Sequence, residues 1–460
     1  MTIEQKKHWG NIIFHGAAGD VTGANFMLDI ADRKILVDCG LAQGDTDAFN
    51  KNYTPFAYNP ADVHILIITH AHTDHIGRIP KLIHDGFRGV IYSTAPTRDI
   101  AVLMFDDALG LMEQEAQEHN VDPLYNRDDI NHALGLWKTI PYHSHIDLGN
   151  GVSGTFFDAG HVLGSAMCQI SFQEKNMVFT GDLGNSPNML LKDTEEFMEP
   201  DILLTESVYG DRNHEHVEER SALLERAIED TVVRGGTLMI PSFSLERTQE
   251  ILFELNHLYE NNRVPHVPVY LDSPLASKIT EVFQRYSEFL KPEVRKMIHA
   301  GDDVFTFDNL HITESVEDSK SINQIMGPKI IIAGSGMMNG GRILHHAKWY
   351  LSDPNNMLLL VGYQAQGTLG RVLWDGAKHV KIHNTDVDVH AEIRMISGFS
   401  GHKGADQLVD FVRDISKNLK QVFCVMGETT SANTLAGRIR DEIGIPADAP
   451  IAGEVREISF

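Results

Sequence analysis

The chain has 460 residues, of which 42% are hydrophobic and 22% charged, a balance that is ordinary for a globular protein of two or three domains. Its net charge of −25 excludes a broad basic surface that binds nucleic acid without sequence preference. Three scattered cysteines exclude a disulfide framework, and no apolar run is long enough for a signal peptide or a membrane span. These properties predict a cytoplasmic protein that does not associate with membranes.

Short alternating runs at the start of the chain predict β-hairpins. NIIFHG, ANFMLDI and KILVDCG are separated by Gly-Asp and Asp-Arg turns. The continuous apolar run of VHILIITH predicts a buried central strand. Further strands are predicted at GVIYST, GTFFDAG, MCQISFQ and NMVFTGD, and residues 97–137 are predicted to be helical. The first part of the chain therefore mixes hairpins with helices.

From about residue 200 the pattern changes to four units in the order strand, small-residue loop, helix. The units are GTLMIPSFSLERTQEILFEL, VPVYLDSPLASKITEVFQRY, PKIIIAGSGMMNGGRILHHAKWYL and NMLLLVGYQAQGTLGRVLWD. This order predicts a parallel, doubly wound sheet with the four loops at one edge. Each loop alone is weak evidence for phosphate binding, since none is a G-x-G-x-x-G or Walker A motif. Together they predict one crevice for a phosphate chain. After about residue 390 the mixed pattern returns.

A dense group of histidines and an aspartate follows the VHILIITH run. In THAHTDHIG, His70 and His72 are two residues apart at the end of a strand, so both rings can leave on the same side. Asp74 and His75 follow in the turn. A polar turn would explain a single histidine, but His-x-His-x-Asp-His offers the imidazole and carboxylate ligands that zinc prefers. The motif therefore predicts a metal site.

His-x-His-x-Asp-His also resembles the signature of the metallo-β-lactamase superfamily. ILVDCG resembles the motif whose aspartate, here Asp38, holds the metal ligands in position without binding the metal itself. AGHVLGSA and FTGDLG resemble the motifs of a third histidine, His161, and of a metal-bridging aspartate, Asp182. TESVYGDR and GFSGH resemble motifs of the β-CASP branch, and they give Glu206 and His402. PSFSLERTQE, YLDSPLA, IIIAGSGMMNGGRILHHAKWYL and GYQAQGTLGR resemble the β-CASP domain of the cleavage-and-polyadenylation endonuclease and its bacterial and archaeal relatives.

The resemblance implies an α/β fold in which an αβ/βα metallo-β-lactamase sandwich is interrupted by an inserted, doubly wound β-CASP domain. Residues 1–207 and 391–460 would form the sandwich, and residues 208–390 would form the insertion. The active site would lie in the cleft between the two domains.

The resemblance also implies two metal sites that share one aspartate. The first comprises His70, His72, His161 and Asp182, with Zn²⁺ as the expected metal. The second comprises Asp74, His75 and Asp182, and three outcomes are open for it: weak binding of Zn²⁺ or Mn²⁺, binding with an extra water, or no metal at all.

One family ligand is missing from the second site. The family's last ligand is the histidine of a His-Gly-Glu, and the Gly-Glu of VFCVMGE aligns Met426 with it. A thioether is a poor zinc ligand. Counting from His402 makes Cys424 an alternative ligand, on the expectation that Cys424 and Met426 point to the same face of a strand. The other interpretation is that Cys424 is a core residue and that Met426 fills the gap.

The predicted function is a zinc-dependent ribonuclease that hydrolyses single-stranded RNA with metal-activated hydroxide, in RNA processing or degradation. Asp182 and Asp74 would hold the hydroxide. His402, oriented by Glu206, would protonate the leaving oxygen, although a Glu–His pair is also a common structural contact. Tyr209 is either a base-stacking residue or a core residue. Contacts to the RNA backbone are assigned to Ser335, Gly336, Met337, Arg342 and Arg371.

Three other functions remain open from the sequence. The same ligands could serve a small-molecule metallohydrolase, which the acidic composition favours and the β-CASP insertion opposes. The second is a DNA-directed nuclease, which stays open because DNA-directed members of the branch also lack the last histidine. The third is a weakly active RNA-binding member, which Met426 supports and the retained ligands oppose. Relatives in the branch are often dimeric, so a homodimer is also predicted.

Overall fold

The computed structural model of the chain describes residues 8–44, 47–196, 198–214, 217–365 and 367–460, with the backbone alone for 217 and 218. Up to residue 206 the strands are β1 (His8–Gly16), β2 (Asn25–Ile30), β3 (Arg33–Val37), β4 (Ile65–Ile67), β5 (Val90–Ser93), β6 (Trp137–Thr139), β7 (Ile146–Gly149), β8 (Val152–Asp158), β9 (Ala166–Phe172), β10 (Lys175–Phe179) and β11 (Ile202–Glu206). The helices of this part are α1 (Ala48–Tyr53), α2 (Thr73–Ile76), α3 (Ile79–His84), α4 (Ala95–His119) and α5 (Arg127–Leu136).

The next part, up to residue 395, alternates strands with helices. Its strands are β12 (Thr237–Pro241), β13 (Val269–Asp272), β14 (Leu310–Ile312), β15 (Lys329–Ala333), β16 (Met357–Leu360), β17 (His379–Ile382), β18 (Thr385–Asp388) and β19 (Glu392–Met395). Its helices are α6 (Val217–Val233), α7 (Arg247–Glu260), α8 (Pro274–Arg285), α9 (Pro292–His299), α10 (Val316–Ile322), α11 (Arg342–Tyr350) and α12 (Leu369–Trp374). The remaining elements are α13 (Ala405–Asp414), β20 (Gln421–Val425), α14 (Thr429–Ile443), β21 (Ala447–Asp448) and β22 (Val455–Ser459).

Two mixed sheets form a sandwich from the first and last parts of the chain. The first has the strand order β22-β1-β2-β3-β4-β5-β6, and the second has β21-β20-β11-β10-β9-β8-β7. Between them lies an apolar core to which Phe14 and Phe26 of the first sheet and Phe156 and Met177 of the second contribute. Helices α3, α4 and α5 pack outside the first sheet, and α13 and α14 outside the second. This is the predicted αβ/βα arrangement.

The four predicted strand–loop–helix units lie together in a third sheet. Its strand order is β14-β13-β15-β12-β16-β19, and every neighbouring pair is parallel. Strands β12, β13, β15 and β16 are buried along their whole length, as a sheet with helices on both faces requires. The doubly wound parallel sheet of the prediction is therefore confirmed, and its four loops leave from one edge.

The third sheet extends slightly beyond the predicted insertion. Strand β19 pairs with β16 over Met357–Leu360 and Glu392–Met395. By sheet membership, the chain returns to the sandwich after Met395, a few residues beyond the predicted boundary at 390. In the sequence, the alternation of strands and helices ends before residue 390, because β17 and β18 form an antiparallel hairpin ahead of β19.

Within the sandwich, polar side chains set where elements end. The predicted strand of VHILIITH is shorter than expected, because the N–H of Thr69 donates to Oδ1 of Asp38 instead of to a neighbouring strand. The helical segment 97–137 forms two helices: Asn120 ends α4 in the left-handed region, and Asn126 begins α5 with a capping box. In the described part of the chain, no helix is both long enough and apolar enough to cross a membrane.

Candidate metal centre

The predicted site residues come from loops at one edge of the sandwich. Asp38 follows β3, the His-x-His-x-Asp-His turn follows β4, and Asp182 follows β10. His161 lies between β8 and β9, Glu206 ends β11, and His402 precedes α13. Strand ends that meet at one edge bring these distant parts of the sequence into a single site.

Two glycines allow the ligand-bearing loops to pack directly on one another. A Cβ atom on Gly40 would lie 1.5 Å from the carbonyl oxygen of Asp74, and one on Gly184 would lie 1.8 Å from that of Gly160. The glycines that end ILVDCG and FTGDLG are therefore required for close approach of the backbones.

The first predicted ligand set converges on one point. Nδ1 of His72 lies 3.0 Å from Nε2 of His70 and 3.3 Å from Nε2 of His161. Oδ2 of Asp182 lies 3.4 and 3.5 Å from the same two Nε2 atoms. Zinc bonds of about 2.0–2.1 Å in a tetrahedron separate the ligand atoms by about 3.3 Å. These four residues therefore fit a tetrahedral zinc ion.

Hydrogen bonds orient the imidazoles of this set. The hydroxyl of Thr69 donates to Oδ2 of Asp38, so it can only accept from Nδ1 of His70, 3.1 Å away. Nδ1 of His161 donates to the carbonyl of Gly401 at 3.0 Å. Both rings then present the unprotonated Nε2 to the cluster, which is the form that binds metals.

Charge states in the first set also suit a cation. Burial lowers the pKa of His70, and it lowers the pKa of His72 and of His161 well below the usual histidine range. Burial alone would raise the pKa of Asp182, but His75 and His70 hold it well below its usual range. The cluster is therefore three neutral imidazoles and one carboxylate.

The second predicted set shares Asp182 through its other oxygen. Nε2 of His75 lies 3.5 Å from Oδ1 of Asp182 and 4.0 Å from Oδ2 of Asp74. Nδ1 of His75 lies 2.7 Å from Oδ2 of Asp38, which fixes the orientation of the ring. Burial opposes protonation of His75, but the carboxylates of Asp182 and Asp38 raise its pKa well above the usual range. A divalent ion would take the place of the proton that these carboxylates stabilise on the imidazole of His75.

Met426 and Cys424 do not share a face, contrary to the expectation from strand alternation. Cys424 lies in the core under α13 and α14, whereas Met426 packs in the core between the two sheets. The alternation stops because β20 ends at Val425 and Met426 has a φ of 50°. Burial raises the pKa of the Cys424 thiol. Cys424 therefore lies away from the second ligand set, and Met426, 2% exposed, is an apolar core residue beside Asp38 and Gly181.

His402 and Glu206 form a buried pair next to Asp182. Nδ1 of His402 lies 3.2 and 3.3 Å from the two Glu206 oxygens and 4.0 Å from Oδ2 of Asp182. The N–H of Leu183 donates to Oε1 of Glu206 at 2.6 Å, which anchors the carboxylate. Burial opposes the charged imidazole, but Glu206 raises the pKa of His402 to about 9. The side chain is 20% exposed, toward the cleft.

One cavity joins this cluster to the loops of the third sheet. It contacts His72, Asp182 and His402 on one side, and on the other the loops that follow β12, β15 and β16 together with the start of α8. The predicted backbone-binding residues Ser335, Gly336 and Met337 line it. The expected single crevice between the two domains is present.

Two predicted RNA contacts and the candidate base-stacking residue do not line this cavity. Arg342 does not line the cavity, and it donates to Asp272 and to the carbonyls of Thr313 and Glu314. Arg371 pairs with Asp375 on the exposed side of α12. Both guanidinium groups hold structural partners. Tyr209 is buried against His214, so of its two interpretations the core residue applies.

Three residues of this site were not predicted from the sequence. Thr69 connects Asp38 to His70, and its only sequence signal is its place before the motif. Arg247 is the one lysine or arginine among the described residues that line the cavity. Glu246, beside it, has a φ of 67° and lines the same cavity. Both follow β12 in SLERTQE, where an Arg and a Glu at a helix start usually lie at the surface.

Three family models match successive parts of the chain. A metallo-beta-lactamase superfamily domain matches residues 27–204, a Beta-Casp domain matches 248–373, and a Zn-dependent metallo-hydrolase RNA specificity domain matches 386–450. The fold and the first ligand set are those of a zinc-dependent metallo-hydrolase. The chain belongs to the β-CASP branch of the metallo-β-lactamase superfamily, as its motifs predicted.

Curated relatives cover nearly the whole chain. The chain is 38% identical to Ribonuclease TTHA0252 of Thermus thermophilus over 402 residues, which are 87% of this chain and 90% of the relative. It is 30% identical to Transcription termination factor FttA of Methanosarcina mazei, over 96% of this chain and 71% of the relative. A crystal structure of a protein of unknown function from Enterococcus faecalis matches with a TM-score of 0.56 and 13% identity, over 98% of this chain and 100% of the other. That likeness concerns the fold alone.

Proposed function

We propose that this protein is a ribonuclease that hydrolyses phosphodiester bonds of single-stranded RNA. The observation that carries the proposal is Asp182, which directs one oxygen to each of two ligand sets and lies 4.0 Å from His402. A site that would hold two cations and a proton donor around one carboxylate suits phosphodiester hydrolysis. The similarity to a protein named as a ribonuclease and the match to an RNA specificity domain support RNA as the substrate.

His70, His72, His161 and Asp182 would hold the first zinc ion. Asp74, His75 and Asp182 would hold a second, weaker ion, zinc or manganese, because Met426 offers no ligand there. When bound, the metal supplies hydroxide at neutral pH and positive charge beside the phosphate. Asp38 positions these ligands through Thr69 and His75.

His402 is the proposed proton donor to the leaving oxygen. Its Nδ1 is held by Glu206, so the opposite nitrogen, Nε2, is free to face the cavity. Glu206 is fully buried and anchored by the Leu183 N–H, which keeps the ring in one orientation. Orientation of a proton donor by a fixed carboxylate is the usual arrangement for general acid catalysis.

The loops of the third sheet would position the RNA backbone. Ser335, Gly336 and Met337 precede α11 on the cavity wall, where backbone N–H groups can meet phosphate oxygens. Arg247 is the one arginine among the described residues of that wall, and its guanidinium pairs with Glu250, which fixes its place there. The acidic chain would in this way bind a polyanion through a few local groups. A homodimer stays a prediction that light scattering would test.

The proposal is tested with RNA and DNA of one sequence, each single-stranded and end-labelled, and zinc-loaded protein. We expect the wild type to cleave RNA, and His72→Ala and His402→Ala to lose cleavage. His345→Ala is the matched control, because His345 is exposed on α11 and does not line the cavity. Preferential cleavage of DNA would make the protein a DNA-directed nuclease, and cleavage of neither would overturn the proposal.

A further inference from the structure

Glu246 is a buried glutamate in the wall of the cavity. Its side chain is buried, with 2% of the residue exposed, and the residue belongs to the cavity wall together with His402 and Ser335. Neither carboxyl oxygen has a partner at hydrogen-bonding geometry among the described residues, although the backbone of Leu163 lies near enough to stabilise its charge. A buried carboxyl without partners costs free energy, so its presence calls for an explanation.

The backbone holds Glu246 in a strained conformation. Its φ and ψ are 67° and −57°, and the N–H of Arg247 donates to the carbonyl of Leu245 at 2.9 Å. This is a γ-turn with positive φ, a rare form for any residue other than glycine. Glu246 also precedes α7 without capping it, since its side chain accepts no hydrogen bond from the helix. Strain and an unpartnered carboxyl at one residue point to a functional contact.

We propose that the carboxyl of Glu246 binds a 2′-hydroxyl of the RNA strand in the cavity and thereby distinguishes RNA from DNA. The inference rests on the proposed ribonuclease function. Leu163, whose backbone lies beside the carboxyl, is two residues from the predicted ligand His161, and Glu246 lines the same cavity as His161 and Asp182, so an RNA strand that reaches the cluster would pass along this wall. The 2′-hydroxyl is the group that separates the two sugars.

A hydroxyl is also the partner that fits this group chemically. Burial raises the pKa of Glu246 well above its usual range, and the neighbouring carboxylate of Glu250 raises it further. In its neutral form, which burial favours, the carboxyl does not repel a phosphate chain, and it can both accept from and donate to a hydroxyl. Deoxyribose would leave the buried carboxyl unpaired, which is how a polar site rejects a substrate that lacks one hydroxyl.

The test uses one single-stranded RNA and variants of it that carry a single 2′-deoxy substitution at successive positions around the cleavage site. For the wild type, we expect one position at which the substitution lowers kcat/KM by about 10- to 100-fold. The Glu246→Leu protein should cleave the unsubstituted RNA only as well as the wild type cleaves the RNA with the sensitive 2′-deoxy substitution. In this variant the penalty, meaning the loss in kcat/KM caused by that substitution, should therefore fall to about twofold or less. Glu246→Gln, which keeps an oxygen and an N–H, should retain most of the penalty.

Two controls separate this role from a structural one. Glu254→Gln changes a buried glutamate within α7 that does not line the cavity, and it should leave the penalty unchanged. The melting temperature of Glu246→Leu should not fall, because the variant removes an unpartnered carboxyl. Loss of zinc from Glu246→Leu, measured by metal analysis, would mean that the carboxyl holds a cation, and it would overturn the inference.

The remaining outcomes distinguish the inference from the function on which it rests. RNA cleavage by the wild type with no sensitive 2′-position, or with a penalty that persists in Glu246→Leu, would overturn the inference alone. If the wild type hydrolyses bis(p-nitrophenyl) phosphate but no RNA, the proposed function fails, and the inference fails with it.

Discussion

Oδ2 of Asp38 lies 2.7 Å from Nδ1 of His75, and this contact decides that Nε2 of His75 faces Asp182. Asp38 also accepts the N–H and the hydroxyl of Thr69, each at 2.8 Å. One buried carboxylate therefore orients parts of both ligand sets without belonging to either.

Asp38→Asn should weaken zinc binding. An amide has one oxygen where three donors converge, so the orientation of His75 and Thr69 loosens, and groups of this kind contribute about 10- to 100-fold to metal affinity. Asparagine tolerates the φ of 59° at this position, so the fold should persist. Competition with a chromogenic chelator measures the affinity. Asp62→Asn, which changes an exposed carboxylate near Lys34, is the control. Equal affinities for the two variants would contradict the role given to Asp38.

Glu206→Gln should lower kcat for RNA by about 10²- to 10⁴-fold, the usual contribution of an oriented general acid. The amide oxygen can still accept from the Leu183 N–H, but the charge that orients His402 is lost. Metal analysis should find the zinc content unchanged, because Glu206 belongs to neither predicted ligand set. A kcat close to that of the wild type would show that the Glu206–His402 pair is a structural contact.

Met426→His should strengthen the second metal site. Met426 lies beside Asp38 and Gly181, and an imidazole there would supply the ligand that the thioether cannot. Metal analysis should find a second zinc ion per chain in the variant. Met426→Leu keeps the apolar packing and should resemble the wild type.

Cys424→Ala tests the alternative ligand at the same strand end. Because its thiol packs under α13 and α14, the variant should keep the zinc content of the wild type and lose only stability. A lower zinc content would restore Cys424 as a ligand.

Asp272→Asn should destabilise the third sheet by about 3 kcal/mol at neutral pH, since it breaks a buried ion pair. Asp272 accepts hydrogen bonds from Arg342 at 2.6 Å and from His346 at 2.7 Å. Burial alone would raise its pKa, but these contacts and two hydroxyls lower it well below the usual range. Because the pKa of Asp272 is lower in the folded state, its carboxylate stabilises the fold at pH values above the unfolded-state pKa of about 3.9. This stabilisation is lost as the pH falls below that value. Thermal unfolding should therefore show a gap between variant and wild type at pH 7 that narrows below pH 4.

Arg342→Ala tests the position of Arg342 outside the RNA cavity. It should lower the melting temperature and leave the KM for RNA unchanged, because its guanidinium holds Asp272 and two carbonyls. A raised KM in a folded variant would return Arg342 to the RNA-binding residues that the sequence predicted.

The sequence by itself determined the fold class and the residues that gather at the cluster. The His-x-His-x-Asp-His turn, and the glycines after Asp38 and Asp182, have chemistry and spacing that few other structures require. The strand–loop–helix units likewise permit only a parallel sheet with its loops at one edge. These features are local patterns, so they can be recognised without knowing what lies across the cleft.

Tertiary structure alone decided what each cavity-side group meets. Arg342 and Arg247 look alike in sequence, and each pairs with a carboxylate, Asp272 and Glu250 respectively, yet only Arg247 lines the cavity. Strand alternation predicted that Cys424 and Met426 share a face, but a left-handed residue after β20 sends them to different cores. Glu246 has no distinguishing sequence pattern, because burial, lack of a partner and backbone strain depend on residues far away in the chain. Such properties arise from packing between elements, which no local pattern encodes.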